Sequence, residues 1–315
     1  MVMRILTNLA RFAASFMAAT VLVFLFMRAI PGDPAQIALG VNATPELIAK
    51  TRAEFGTDQP LLTQYLDWVR GLPFGDFGTS YVTHRDISPL VADRVQVSLI
   101  LVVLAMLAAL IIAIPLGTLA AVRHRKASGA IISAVSQLGI AIPGFLAGIL
   151  LVVVFALGLG WFPANGWTPP GQDFGQFLSR VTLPVLALAA VQGAILTRYV
   201  RSAVLEVMSE DYLRTARAKG LSPLAALLKH GLRNAAIPVL TVTSVQLAAL
   251  IIGAVVIERV FVIPGLGSML LDAVGNRDML TVQSVVMVLV GITLVINLFV
   301  DVFYSVLDPR IRKSA

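Results

Sequence analysis

VQVSLILVVLAMLAALIIAIPLGTLAAV, residues 95–122, runs for 28 residues without a charged side chain. A helix needs about 20 mostly apolar residues to cross about 30 Å of hydrocarbon, so this stretch is long enough to span a bilayer. Working outward from it, further uncharged stretches lie at 12–27, 127–172, 181–197, 234–257 and 279–300. A charge at the centre of a span costs about 2.5–3.5 kcal/mol on insertion scales, so the repetition is a membrane signature. Composition agrees: 58% of the 315 residues are hydrophobic, 13% are charged, and the mean hydropathy is +0.89. Soluble chains average about 45–50% apolar and about 25% charged, which excludes a soluble enzyme, and the same apolar excess excludes disorder. The absence of cysteine removes disulfides, thiolate metal sites, iron–sulfur clusters and cysteine nucleophiles.

The expected fold is an all-α membrane protein with six transmembrane helices. The 46-residue stretch at 127–172 is expected to hold one helix and a loop, because Gly160–Gly171 combines turn residues with interfacial aromatics. The first and fourth stretches are 16 and 17 residues long. Their helices are expected to borrow flanking positions while Arg11, Arg28, Arg180 and Arg198 snorkel to the interface.

Fifteen of the 24 Lys and Arg residues fall in the segments that share a side with the two termini, and nine fall on the other side. Six of those nine lie in one long segment, 28–94, where the positive-inside rule loses force. Both termini are therefore expected in the cytoplasm, with an inner charge of +10 and an outer charge of −3. That polarity accounts for the net charge of +7 without nucleic acid. Met1–Ile30 also admits a reading as a signal peptide, but Arg28-Ala29-Ile30-Pro31 is no small-x-small cleavage site, and five spans would upset the charge pattern. The resulting organisation is 1–30, a tail and first span; 31–94, an extracytoplasmic segment with short helices; and 95–315, a core with five spans and a cytoplasmic loop at 201–234.

Within 31–94, Thr44 before Pro45 is an N-cap signal, and Leu47, Ile48, Thr51 and Phe55 continue a helical face until Gly56. Asp58 and Pro60 open a second helix with Leu61, Leu62, Tyr65, Leu66 and Val69 on one side. A cap on the chain's own membrane domain and a docking surface for another protein are both open readings. Between spans five and six, Glu258–Gly267 is rich in glycine and apolar residues for an exposed loop and is expected to dip back into protein. Its Gly-Leu-Gly lacks phosphate-cradle spacing.

Residues 204–234 carry the most informative local pattern. Glu206, Glu210, Asp211, Arg214, Arg217 and Lys219 place acids early and bases late on a helix, and Glu210 with Arg214 forms an i,i+4 pair. Gly220 stops that helix. Ser222 then supplies an N-cap and Pro223 a first helical residue, and Leu224, Leu227 and Leu228 form an apolar edge before Lys229 and His230. An amphipathic connector on headgroups competes with a knob presented to a cytoplasmic partner.

This helix–glycine–helix element resembles the cytoplasmic EAA-x-x-x-Gly loop of binding-protein-dependent ABC importer permeases, through Arg214-Thr215-Ala216-Arg217-Ala218-Lys219-Gly220. It departs from the pattern in carrying Arg214 for Glu and Thr215 for the first Ala, and His230-Gly231-Leu232-Arg233 where the general pattern has I-x-L-P. RTARAKG followed by LRNAAIPV is similar to the variant in dipeptide and oligopeptide importer permeases. Arg28–Pro34, Phe55–Tyr65, Gly75–Ser80 and the PGLG loop extend the likeness over essentially the whole chain. The resemblance implies a type I permease in a bacterial plasma membrane that pairs with a homologous second permease, binds two cytoplasmic ATPase subunits and receives peptide from an external binding protein. It implies a coupling role for Ala216, Gly220, Leu221, Ser222, Pro223, Leu224, Leu227, Leu228 and Lys229. Contact with the binding protein is expected at Phe261, Pro264, Gly265, Leu266 and Gly267. Nickel and glutathione importer permeases share these motifs and stand as the alternative.

The residues themselves also require a partner for energy. None of the five lysines follows glycine, so there is no phosphate loop; ATP and magnesium are expected on partner subunits and no cofactor on this chain. Swinging a transporter from 1:99 to 99:1 takes about 5.5 kcal/mol, which a rigid capped helix can transmit. No span carries a central charge, and Asp301 is expected at the inner interface, which disfavours a stand-alone proton-coupled transporter. Gln137, Gln192, Thr243, Ser244, Gln246 and Asn297 are the polar candidates for a pathway, with interhelical hydrogen bonds as the competing role. Gly144 and Gly148 suit a close helix contact, and Pro115, Pro143 and Pro184 suit kinks. His84, His124 and His230 lie in three different loops, and HExxH and GxSxG are missing, so neither a metal site nor a hydrolase is expected.

Overall fold

The structure, a computed structural model, describes the backbone of residues 2–307 and the side chains of residues 6–300. The expectations for the Asp301 side chain and for the basic residues Arg4, Arg310, Arg312 and Lys313 lie outside the described residues. The helices in chain order are α1 (Val2–Ala29), α2 (Pro34–Leu39), α3 (Pro45–Phe55), α4 (Leu61–Gly71), α5 (Ile87–Val122), α6 (Ala127–Ala141), α7 (Gly144–Leu151), α8 (Phe174–Met208), α9 (Asp211–Ala218), α10 (Pro223–Ala226), α11 (Leu232–Val260), α12 (Leu266–Gly275) and α13 (Met279–Leu307). Among the described residues there is no strand, only one antiparallel bridge between Thr79 and Asp86.

Among the described residues, five helices are long and apolar enough to cross a membrane: Leu6–Ala29, Ile87–Val122, Phe174–Met208, Pro223–Val260 and Met279–Val300. A sixth crossing exists only if Ala127–Ala141 and Gly144–Gly158 are taken together, and these two meet at 101°. The single helix expected in that stretch is thus a broken pair. Pro143 has no N–H to donate and drives the residue before it out of the helical region; Ile142 stands at φ −82°, ψ 120°. Pro115 and Pro184, by contrast, sit inside continuous helices.

The described residues form two compact units, one holding residues up to Val97 and from Pro264 onward, the other Ser98–Ile263. In the first unit α1 packs along α13, and α4 leans on α1 through Tyr65 and Trp68, whose rings meet Phe24 at 5.4 and 6.2 Å. The inward residues of α4 are therefore aromatic, while Leu61 and Leu62 are exposed. Thr44 caps α3 by accepting from the Leu47 N–H, and Gly56 ends it in the left-handed region. Asp278 ties the segment before α5 to the start of α13. Its carboxylate accepts from the Ser80 hydroxyl at 2.5 Å, the Thr281 hydroxyl at 2.6 Å and the Tyr81 N–H at 3.3 Å.

In the second unit α8 is the hub, packed by α6, α7 and α11. Small residues let these helices approach closely, as packing without a hydrophobic driving force requires. A Cβ on Gly117 would lie 2.6 Å from Val200 Cβ and 2.7 Å from the Thr197 carbonyl oxygen. Of the Gly144–Gly148 pair, Gly148 faces Phe261 and Ile257 closely, whereas Gly144 has open space.

Candidate functional site

The segment joining α8 to α11 lies wholly within the second unit. Sequence pattern suggests one helix carrying Glu206 through Lys219, but α8 ends at Met208, with the Ser209 N–H and hydroxyl bonded to the Glu206 carbonyl. A new helix, α9, begins at Asp211. Glu210 consequently sits at the N-cap position with extended backbone, and the ion pair that forms is Asp211 with Arg214 at 3.3 Å rather than Glu210 with Arg214. Both partners are largely exposed, so the pair contributes little.

Gly220 ends α9 at φ +97°, a conformation that suits glycine, and the Leu221 N–H returns to the Ala216 carbonyl. Ser222 then accepts from the Ala225 N–H, with Pro223 in the first helical turn. The helix so started is α10, which passes at Leu227–Gly231 into a π-helical turn and from there directly into α11. The prong does not end at Lys229 and His230; it is continuous with a membrane-length helix of 38 residues.

The π turn also divides the leucine edge. Leu227 is fully buried in a cluster with Leu213 and Ala216 of α9, Val200, Val204 and Val207 of α8, and Ala235 and Val239 of α11. Leu224 and Leu228 are 47% and 57% exposed. Spacing of i, i+3, i+4 predicts one shared face, and the wider i→i+5 bonding of the π turn breaks that phase. Gly231 makes the turn's packing feasible, because a Cβ there would approach Leu227 Cδ1 at 2.7 Å and Val207 Cγ1 at 3.1 Å. Asn234 donates to the Tyr212 hydroxyl at 2.8 Å, linking α11 to α9. The expected coupling residues thus fall in two groups. Ala216 and Leu227 are core; Ser222, Pro223, Leu224, Leu228 and Lys229 are exposed, with Leu221 half-buried beside Gly220.

The polar pathway candidates lie on α6, α8, α11 and α13. Thr243 and Ser244 donate to the carbonyls of Val239 and Leu240 one turn back on their own helix. Gln192 is buried, Gln137 and Asn297 are exposed, and Gln246 is half-buried. Of the residues expected to meet a binding protein, Phe261, Gly265, Leu266 and Gly267 are buried within this chain and Pro264 is half-buried. Phe261 accepts from the Gly166 N–H at 2.9 Å, and Leu266 packs with Ile87, Val91 and Val285. Sequence reasoning passed over Val262, which is 64% exposed and holds φ +52°, an outlier for a β-branched residue.

Comparison with known proteins agrees with this architecture. Residues 113–313 match the family model described as binding-protein-dependent transport system inner membrane component, and residues 1–105 match the N-terminal model of the same membrane component. A probable peptide ABC transporter permease protein from Sinorhizobium fredii is 37% identical over 93% of both chains. A glutathione transport system permease protein from Salmonella choleraesuis is 39% identical over 98% of both. A putative peptide transport system permease protein from Brucella abortus is 37% identical over 98% of both. Among solved structures, an amino acid ABC transporter shares the fold with a TM-score of 0.51 at 16% identity, covering 70% of this chain and 94% of that one. Such components work in the inner membrane with ATPase and substrate-binding partners. The chain belongs to the binding-protein-dependent transport system inner membrane component family, the permease subunits of ABC importers.

Proposed function

We propose that this permease forms half of a translocation pathway for peptides, alongside a homologous second permease, and is driven by two cytoplasmic ATPase subunits that grip the exposed side of the 222–229 segment. What carries the reading of coupling is the division of the leucine edge. Leu227 anchors the segment in the α8–α9–α11 core, so a push on Leu224 and Leu228 passes into α11 without an intervening flexible joint. Both termini lie in the cytoplasm in this reading, on the strength of the fifteen-to-nine split of basic residues. The chain itself holds no nucleotide and catalyses nothing; ATP and magnesium belong to the ATPases.

The peptide cargo rests on relatives from Sinorhizobium and Brucella whose names specify peptide transport. Glutathione is the second reading, favoured by the Salmonella relative, and as a modified tripeptide it is a narrow case of the same cargo class. Reconstituting the complete importer in liposomes and measuring ATP-driven uptake tests both. Uptake of labelled dipeptides and tripeptides, competed by one another, is the expected result. Uptake of glutathione alone selects the second reading, and uptake of nickel without any peptide overturns both.

A further inference from the structure

The side chains of α4 fall into three stripes, each spaced i, i+4, i+7. Leu61, Tyr65 and Trp68 form the first, and its two aromatic rings pack against Phe24 of α1. Leu62, Leu66 and Val69 form the second, in which Leu62 is 68% exposed and Leu66 is exposed as well. Thr63, Asp67 and Arg70 form the third, and all three are exposed. At 3.6 residues per turn the stripes follow one another around the helix. The surface therefore passes from packed aromatics, through bare leucines, to polar groups.

The contact with α1 fixes the depth of this helix. α1 has 28 residues, Val2–Ala29, and a span takes about 20. A stretch of about 20 residues within α1 starts no later than residue 10 and ends no earlier than residue 21, so each such stretch includes Met17 and Thr20. The Tyr65 hydroxyl lies 2.9 Å from Thr20 Oγ1 and 3.3 Å from Met17 Sδ. It is thus at hydrocarbon depth wherever α1 is set along the membrane normal. The headgroup layer on each side is about 5–8 Å thick, about the reach of a tyrosine side chain, so the α4 backbone lies within that layer or below it.

We infer that α4 is an interfacial helix, with Leu62, Leu66 and Val69 inserted among the acyl chains of the leaflet at the Arg28 end of α1. Thr63, Asp67 and Arg70 then face headgroups and water, the division that holds an amphipathic helix in the interface plane. The leucine stripe continues a bare apolar surface, since Leu22, Leu25 and Phe26 of α1 are exposed too. A soluble protein approaching from water would meet the polar stripe before the leucines. The inference rests on α1 crossing the membrane; it depends neither on the coupling assignment, nor on the cargo, nor on which side holds the termini.

The chain has no cysteine, so single nitroxide spin labels report the environment of each stripe. Leu62→Cys, Leu66→Cys and Asp67→Cys are labelled in the full chain in lipid nanodiscs, and again in the complete importer with cysteine-free partner subunits. Collision with oxygen, which concentrates in lipid, is compared with collision with a neutral nickel chelate, which stays in water. The oxygen-to-nickel ratio at 62 and 66 is expected to exceed that at 67 at least fivefold in both preparations. Unfolding midpoints check the fold, and position 66 carries the test where Leu62→Cys fails to fold. Equal ratios at 62, 66 and 67 overturn the inference in favour of an aqueous surface. Shielding of 62 and 66 from both reagents in the complete importer overturns it in favour of a protein occupant.

Discussion

Leu227 and Leu224 stand three residues apart on one continuous helix, yet the first is fully buried and the second is 47% exposed. A substitution at each therefore acts on a different property. Leu227→Ala is expected to cost about 2–5 kcal/mol of stability by leaving a cavity under α8 and α9. Leu224→Asp and Leu228→Asp are expected to leave the unfolding midpoint nearly unchanged while abolishing substrate-stimulated ATP hydrolysis in the assembled importer. Thermal unfolding in detergent and ATPase rates in nanodiscs separate the two effects.

Gly117 and Val200 mark a close helix approach in the second unit, and the obstacle to a larger residue includes the Thr197 carbonyl as well as a side chain. Backbone cannot swing aside as a side chain does. Gly117→Ala is expected to destabilise by about 1–3 kcal/mol or more through overpacking, read as a lowered unfolding midpoint.

Two loop positions predict changes of opposite sign. Gly220 holds φ +97° with open space around its Cα, so Gly220→Ala meets no clash and pays only for the backbone, about 1–2 kcal/mol. Val262 holds φ +52° at an exposed site, and Val262→Gly is expected to raise stability by up to about 1 kcal/mol. Unfolding midpoints of the two variants, measured side by side, give the signs.

The carboxylate of Asp278 is the shared acceptor for Ser80, Thr281 and the Tyr81 backbone. Asp278→Ala is expected to cost about 1.5–3 kcal/mol, since the lost bonds are charge-assisted. Because the tie holds residues 80–81, the loss is expected as faster proteolysis between α4 and α5, with Asp278→Asn intermediate.

Much of this was legible in the residues alone. Charge-free stretches mark the spans because lipid tolerates little else, and the Thr44 and Ser222 caps declare themselves through their prolines. Three things were hidden for physical reasons. Pro143 is compatible with a mild kink as well as with a 101° break, and only its surroundings decide between them. The leucine edge at 224–228 assumes an unbroken α-helical phase, which a π turn at Leu227 shifts. Arg28 looks like a snorkelling residue at the end of α1, but its Nε is buried and the residue shares a pocket lining with α4 and the 76–81 segment, a grouping that arises across long sequence separations.

The most direct test of coupling exploits the absence of cysteine. A single substitution, Leu224→Cys or Leu228→Cys, is labelled with a benzophenone maleimide in the assembled importer and irradiated. The account predicts an adduct with an ATPase subunit at both positions, strengthened or weakened by nucleotide. Adducts with lipid alone, while the same label on Arg125→Cys captures the ATPase, contradict it.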